Sequence, residues 1–358
     1  MTAGTSGRSG LWRVWPWLKY VIGLGLAGVA LWALAGRTGE LSGASNYLGH
    51  LRWGWLTLAV AAEAGSLVAF ALVQKVLLRA GRVQMSTGRL TAVTLASFAI
   101  ANSIPAGPVL SAVFAFRQYR RHGADEALAG WTLAAVFVTA AVTLALLAAV
   151  GIAVAGAEGA GLDLVGVTVA VLVGTLAMGA VFLQRRALVW VVSRSVHLSQ
   201  RVIGFPRGDR AVHVDEIIAR LTAVSLSARQ VLAALGWGLG NWVLDCACLA
   251  LSFMAVGVGV PWRGLLLAYG AGQLAANLPI TPGGLGVVEG SLTIALVEFG
   301  GAEPSTVAAV FLYRTLSFWA ELPVGWTAWS VLAWTRRAPA STQAHQELTG
   351  AVAEEAAS

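Results

Sequence analysis

Six side chains of this sequence sit where strongly polar groups are costly, inside or beside long apolar runs: Glu63, Asn241, Asp245, Glu289, Arg314 and Glu321. A charge kept in hydrocarbon surroundings pairs, binds or carries something, so these positions are the first candidates for function. Asn241 and Asp245 are four residues apart and share a helix face. Arg314 and Glu321 are separated by about 10 Å along one helix axis, too far for direct pairing. Arg314 therefore needs a partner from another segment, and Glu289 or Asp245 is the expected contact. A buried ion pair that fixes helix register is the plain structural reading of these charges. Glu289 has a second one: it stands in the first turns after Gly284, where a carboxylate complements the positive start of a helix. Proton coupling through Glu63, Asp245 or Glu321 is compatible with the pattern, although no spacing specifies it.

A second set of groups collects at two chain breaks. The apolar stretch 90–104 stops at Pro105-Ala106-Gly107-Pro108, and the stretch 264–278 stops at Pro279-Ile280-Thr281-Pro282-Gly283-Gly284. Each stretch spans roughly 22 Å as a helix, short of the ~30 Å hydrocarbon core. Another apolar helix follows each break, at residues 109–119 and 285–299. A helix that starts at mid-membrane points free N–H groups and a positive dipole end into the protein, which is a ready anion site. Gly283, Gly284 and Gly286 leave that backbone unobstructed, while Ser97, Asn102, Ser103, Gln273, Asn277 and Thr281 add hydrogen-bonding groups. Arg314 adds fixed charge suited to a phosphate. The glycines Gly236, Gly238 and Gly240 lie within an apolar run and read as close helix packing.

The elements that hold these residues are membrane helices. Of 358 residues, 57% are hydrophobic and 11% charged, against roughly 25% charged in soluble domains. Mean hydropathy is +0.74. Six segments are long enough to cross: residues 16–36, 53–78, 127–154, 164–184, 231–256 and 305–334. The first also resembles a signal peptide ending in Ala33-Leu34-Ala35; its length favours an uncleaved crossing. The fold class expected is all-α, a polytopic membrane protein of about six full crossings and two oppositely oriented re-entrant hairpins. Basic residues flank the first hairpin on both sides (Lys75, Arg79, Arg82, Arg89; Arg117, Arg120, Arg121, His122), so it should enter from the cytoplasm. The second lies between Arg263 and the acidic Glu298 and Glu303, and should open outward. The basic loop 185–229 and Arg336-Arg337 place both termini in the cytoplasm. Amphipathic surface helices and a solvated loop are equally economical readings of 185–229.

An offset of 177 residues maps Pro105 onto Pro282, Gly107 onto Gly284, Gly123 onto Gly300 and Glu126 onto Glu303. Residue identity is near chance, so the order of elements is what suggests an inverted repeat, with halves at about 16–155 and 164–337. The whole of 1–337 reads as one transmembrane domain, and 338–358 as a disordered tail.

Several classes are disfavoured. The net charge of +7 reads as basic loops facing anionic headgroups, not as a nucleic-acid footprint. Cys246 and Cys248 cannot pair on one helix, and the five scattered histidines form no metal motif. No cofactor or metal is expected. No nucleophile–base pair is apparent, so no enzyme activity is expected either.

The stretch N-L-P-I-T-P-G-G-L-G-V-V-E-G (residues 277–290), with Gly300, Arg314 and Gly325 beyond it, resembles the signature of a bacterial flippase-like family. That family includes the transmembrane domain of lysylphosphatidylglycerol synthases and stand-alone UPF0104-type proteins. The stretch N-S-I-P-A-G-P (residues 102–108), then Arg117 and Gly123, resembles the family's first hairpin motif, although Pro108 replaces its acidic residue. The resemblance implies a translocase in the bacterial cytoplasmic membrane, moving an anionic or aminoacylated phospholipid, or a polyprenyl-phosphate-linked lipid, between leaflets. The synthases' aminoacyltransferase domain does not follow the last expected crossing in this sequence, so aminoacyl transfer by this chain is not expected. By motif, the substrate groups would be Asn102, Pro105, Gly107, Arg117, Asn277, Thr281, Pro282, Gly283, Gly284, Gly286, Glu289 and Arg314. Two other readings stay open: a non-transporting lipid-binding subunit working with envelope-synthesis enzymes, and a transporter of small anions. Membrane lipids are the expected partners.

Overall fold

A computed structural model describes residues 51–104, 107–156, 226–276 and 282–334. The expected crossings at 16–36 and 164–184, nearly all of the loop 185–229 and the tail lie outside these residues. Among the described residues every regular element is helical. Eight helices follow in order: α1 (Trp53–Ala80), α2 (Thr87–Ser103), α3 (Gly107–Arg121), α4 (Glu126–Gly156), α5 (Ala228–Val256), α6 (Trp262–Ala276), α7 (Val287–Glu298) and α8 (Glu303–Trp334). Four of them, α1, α4, α5 and α8, are long and apolar enough to cross a bilayer, and they coincide with four of the expected crossings. The short helices α2 and α6 are the ones expected before the two chain breaks.

Local chemistry sets the ends. The Ser86 hydroxyl accepts from the Arg89 N–H at 3.3 Å to start α2. Ser227 and Gln230 form a reciprocal capping box at the start of α5. Helix α8 is continuous but irregular: its backbone passes through a π turn at Thr315–Trp319, with the Ala320 N–H donating to the Thr315 carbonyl at 2.8 Å. Pro323 accounts for the irregularity. It has no N–H for the Trp319 carbonyl and its ring crowds that oxygen, which a wider turn relieves.

The packing is reciprocal. Helices α1 and α5 lie along each other and run antiparallel, since Arg52 N–H donates to Ala255 O at 2.8 Å while Asn241 reaches Ser66. One apolar core joins the C-terminal end of α1 to α2, α3 and the start of α4, through Leu77, Leu90, Phe114 and Trp131. The other joins the C-terminal end of α5 to α6, α7 and the first part of α8, through Phe253, Leu265, Leu292 and Val310. The last part of α8 packs on α2, and α4 packs on α6. Glycine permits both close approaches: a Cβ at Gly151 would stand 2.8 Å from the Leu267 amide nitrogen, and one at Gly325 would overlap the Leu95 carbonyl oxygen. Large apolar side chains point outward, Phe137 at 73% exposure and Ile294 at 68%. That outer surface suits hydrocarbon and would be a liability in water. The bilayer therefore completes the packing.

Gly325→Ala should lower the thermal unfolding midpoint of the detergent-purified protein, because its new methyl meets backbone and overpacking costs about 1–3 kcal/mol. Gly290 has open space around its Cβ position, so Gly290→Ala should leave the midpoint equal or higher. Equal behaviour of the two variants would contradict the close α8–α2 contact.

Candidate functional site

Chain breaks and buried charges converge where α2 ends, α7 begins and α8 turns. The second break is a short 3-10 turn at Pro282–Gly284, and α7 starts after Gly286. Gly283, Gly284 and Gly286 have φ of +66°, +68° and +80°, a left-handed run that side-chain-bearing residues resist. The Asn102 side chain, which donates to Phe98 O at 2.9 Å, comes within 3.4 Å of where a Cβ on Gly283 would stand. The end of α2 thus touches the turn that precedes α7.

Arg314 holds this junction together. Its Nε donates to Glu289 Oε1 at 2.8 Å and its Nη2 donates to the Gly283 carbonyl at 3.1 Å. Its guanidinium lies 4.4 Å from the centre of the Phe318 ring, and Phe318 meets Phe98 of α2 edge-on. Glu289 closes the other side, where its Oε2 accepts from the Gly286 N–H at 2.6 Å. Both sequence readings of Glu289 therefore hold: it pairs with Arg314 and it caps α7. Of the two partners expected for Arg314, Glu289 makes the ion pair.

A second cluster lies deeper along the α1–α5 pair. Asp245 accepts from Tyr313 at Oδ1 (2.8 Å) and from Tyr269 and Gln273 at Oδ2 (2.7 and 3.2 Å). Glu63 of α1 and Glu321 of α8 bring their carboxyls within hydrogen-bonding range of each other, next to Asp245. Both residues are buried, and Glu63 Oε2 has no hydrogen-bond partner among the described residues. Asn241 faces α1 and donates to Ser66 O at 3.3 Å, a tie between helices outside the carboxyl cluster.

The remaining expected site residues separate into groups. Gly107 opens α3 packed against the carbonyls of Ile100 and Ala101, while Arg117 is exposed on α3 about 15 Å further along its axis. Arg117 is not brought to the junction. Ser103 accepts from Trp326 Nε1 at 3.2 Å, tying α2 to α8, and Ser97 Oγ is buried. Pro282 begins the short turn. Pro105, Asn277 and Thr281 lie outside the described residues. Of the G-x-G-x-G glycines, only Gly238 sits against a neighbouring helix, at Thr139 and Thr143. Sequence reasoning missed Tyr269, Tyr313 and Phe318. The two tyrosines carried a usable signal, because a phenol inside an apolar run requires a hydrogen-bond partner. Phe318 carried none.

Removing Glu289 alone would leave a buried guanidinium without its counter-charge. Glu289→Gln should destabilise the protein by about 3 kcal/mol, and the neutral double variant Arg314→Met/Glu289→Met should recover most of that loss. Unfolding curves in detergent measure both. Additive losses would contradict the pairing.

Comparison with known proteins places the chain. The sequence pattern of the lysylphosphatidylglycerol synthase TM region family matches residues 18–325. A UPF0104 membrane protein of Methanothermobacter thermautotrophicus is 38% identical over 87 residues, 24% of this chain and 25% of that relative. The aligned segment thus spans a quarter of the relative's length. With the pattern covering the described helices from α1 into α8, this chain belongs to the lysylphosphatidylglycerol synthase TM region family of multi-pass membrane proteins.

Proposed function

We propose that the protein is a lipid translocase of the cytoplasmic membrane that passes an anionic phospholipid, or a lipid-linked phosphate, between leaflets. One observation carries this reading: the Glu289 carboxylate bridges the Gly286 N–H and the Arg314 guanidinium. A backbone donor at a helix start and a guanidinium fork are the groups that hold a phosphate. Glu289 fills that place in the resting protein, and a lipid phosphate would compete for the same two donors. While a phosphate occupies them, Glu289 is released and the tie between α7 and α8 loosens. Arg314 keeps its hold on Gly283 O through Nη2, so the turn stays placed as the carboxylate leaves.

The architecture we infer around this site has α2–α3 and α6–α7 as re-entrant hairpins entering from opposite sides, with both chain termini in the cytoplasm. The antiparallel course of α1 and α5 supports an inverted repeat. So does the reciprocal packing of α8 on α2 and of α4 on α6. A site between two such halves can face one leaflet and then the other without crossing lipid. Residues of this chain bind and orient; no bond is made or broken.

The test is leaflet transfer of a fluorescent phosphatidylglycerol in proteoliposomes. The double variant Arg314→Met/Glu289→Met, with its unfolding midpoint measured alongside, should reduce transfer to the protein-free rate. Wild-type transfer by that folded variant would sink the proposal. Wild-type protein that transfers no phospholipid but takes up soluble phosphate would show a small-anion carrier instead.

A further inference from the structure

The translocation reading makes no use of the deeper carboxyl cluster. Three helices each contribute one acid there: Glu63 from α1, Asp245 from α5 and Glu321 from α8. Glu63 and Glu321 are 7% and 6% exposed. The groups facing them are few. From α5 come Asp245 and the Cys248 thiol, from α6 the Tyr269 hydroxyl, and from α8 Tyr313, Arg314 and the neighbouring acid. Among the described residues Arg314 supplies the single cationic charge there, and Glu289 already pairs with it at 2.8 Å. Three ionised carboxylates would therefore stand together without compensation in a low-dielectric interior, an arrangement a protein does not hold.

Hydrogen bonding points the same way. Asp245 is supplied with donors, two phenols and an amide. Glu63 adjoins both Asp245 and Glu321. Two carboxyls bond to one another only when one of them carries a proton. Glu63 Oε2, buried and without a partner, is the oxygen on which a proton is missing from the hydrogen-bond count. No group of acids, cysteines and histidines among the described residues is arranged to hold a metal ion.

We propose that Glu63 and Glu321, positioned by Asp245 and its tyrosines, form a proton-binding site whose occupancy sets the partner of Arg314. With the site loaded, Glu63 and Glu321 share one proton and Arg314 stays with Glu289. Release of that proton to water leaves Glu63 and Glu321 both ionised, and the added negative charge beside α8 draws Arg314 away from Glu289. The π turn at Thr315–Trp319 lies on α8 between Arg314 and Glu321, where a helix can change its winding at small cost. The proton site stands whether or not the transported anion is a lipid.

The experiment uses the full chain in lipid nanodiscs without added substrate. Infrared difference spectra should contain the carbonyl band of a protonated carboxylic acid, lost as pH rises and absent in Glu63→Gln. An apolar carbodiimide, which modifies protonated acids in apolar surroundings, should label Glu63. Labelling should fall several-fold from mildly acid to alkaline pH, and Glu321→Gln should shift that profile. Glu63→Gln mimics the neutral acid and should keep wild-type thermal stability. The proposal is overturned by a spectrum with no protonated-acid band that Glu63→Gln leaves unchanged, or by a labelling profile indifferent to Glu321→Gln. Suppression of labelling by sodium at fixed pH would also overturn it, by making the ligand a metal cation. Failure of leaflet transfer would leave these readouts untouched.

Discussion

One constraint governs this protein: hydrocarbon offers no hydrogen bonds, so a polar backbone group or charge inside the span needs its partner within the chain or a bound proton. The Arg314–Glu289 contact is where that constraint is most severe. A helix break needs its carbonyls and N–H groups satisfied, and here one side chain serves each kind. Arg314 donates to the Gly283 carbonyl and Glu289 accepts from the Gly286 N–H. The ion pair between them neutralises both. Neither half would be stable alone, since each charge is the other's solvent.

The same constraint explains why two apolar cores flank the antiparallel pair α1–α5. Each core shields a pair of short helices that could not cross by themselves. Where the two cores meet, the polar groups collect. Asp245 ties α5 to α6 and α8, and Asn241 ties α5 to α1. Function and fold thus draw on the same few side chains.

Much of this was legible in the sequence because bilayer physics is coarse. Length and hydropathy located α1, α4, α5 and α8 to within a few residues, and Pro/Gly clusters marked the breaks before α3 and α7. The scarcity of charges narrowed the partner of Arg314 to Glu289 or Asp245, and the structure singles out Glu289. The pattern around Asn277–Gly290 pointed to the family. What escaped was geometry that depends on three-dimensional convergence. The family motif put Arg117 in one site with Gly107, yet a helix of known rise carries Arg117 well beyond the break. The phenols of Tyr269 and Tyr313 each signalled a need for a partner, but only the convergence of α6 and α8 shows that both find it in Asp245. The reach of Phe318 under Arg314 depends on the winding of α8, which no periodicity argument resolves.

That winding has a consequence of its own. A π turn holds one residue more than the α turn it replaces, so the Thr315–Trp319 segment is the signature of a single-residue insertion in an otherwise regular helix. Deleting one residue there would restore ordinary winding and rotate everything beyond it by about 100° relative to Arg314. Glu321 would leave the carboxyl cluster and Gly325 would leave α2. The extra residue is what phases two functional faces on one helix, and a chain lacking it would need a different amino acid at each of those positions.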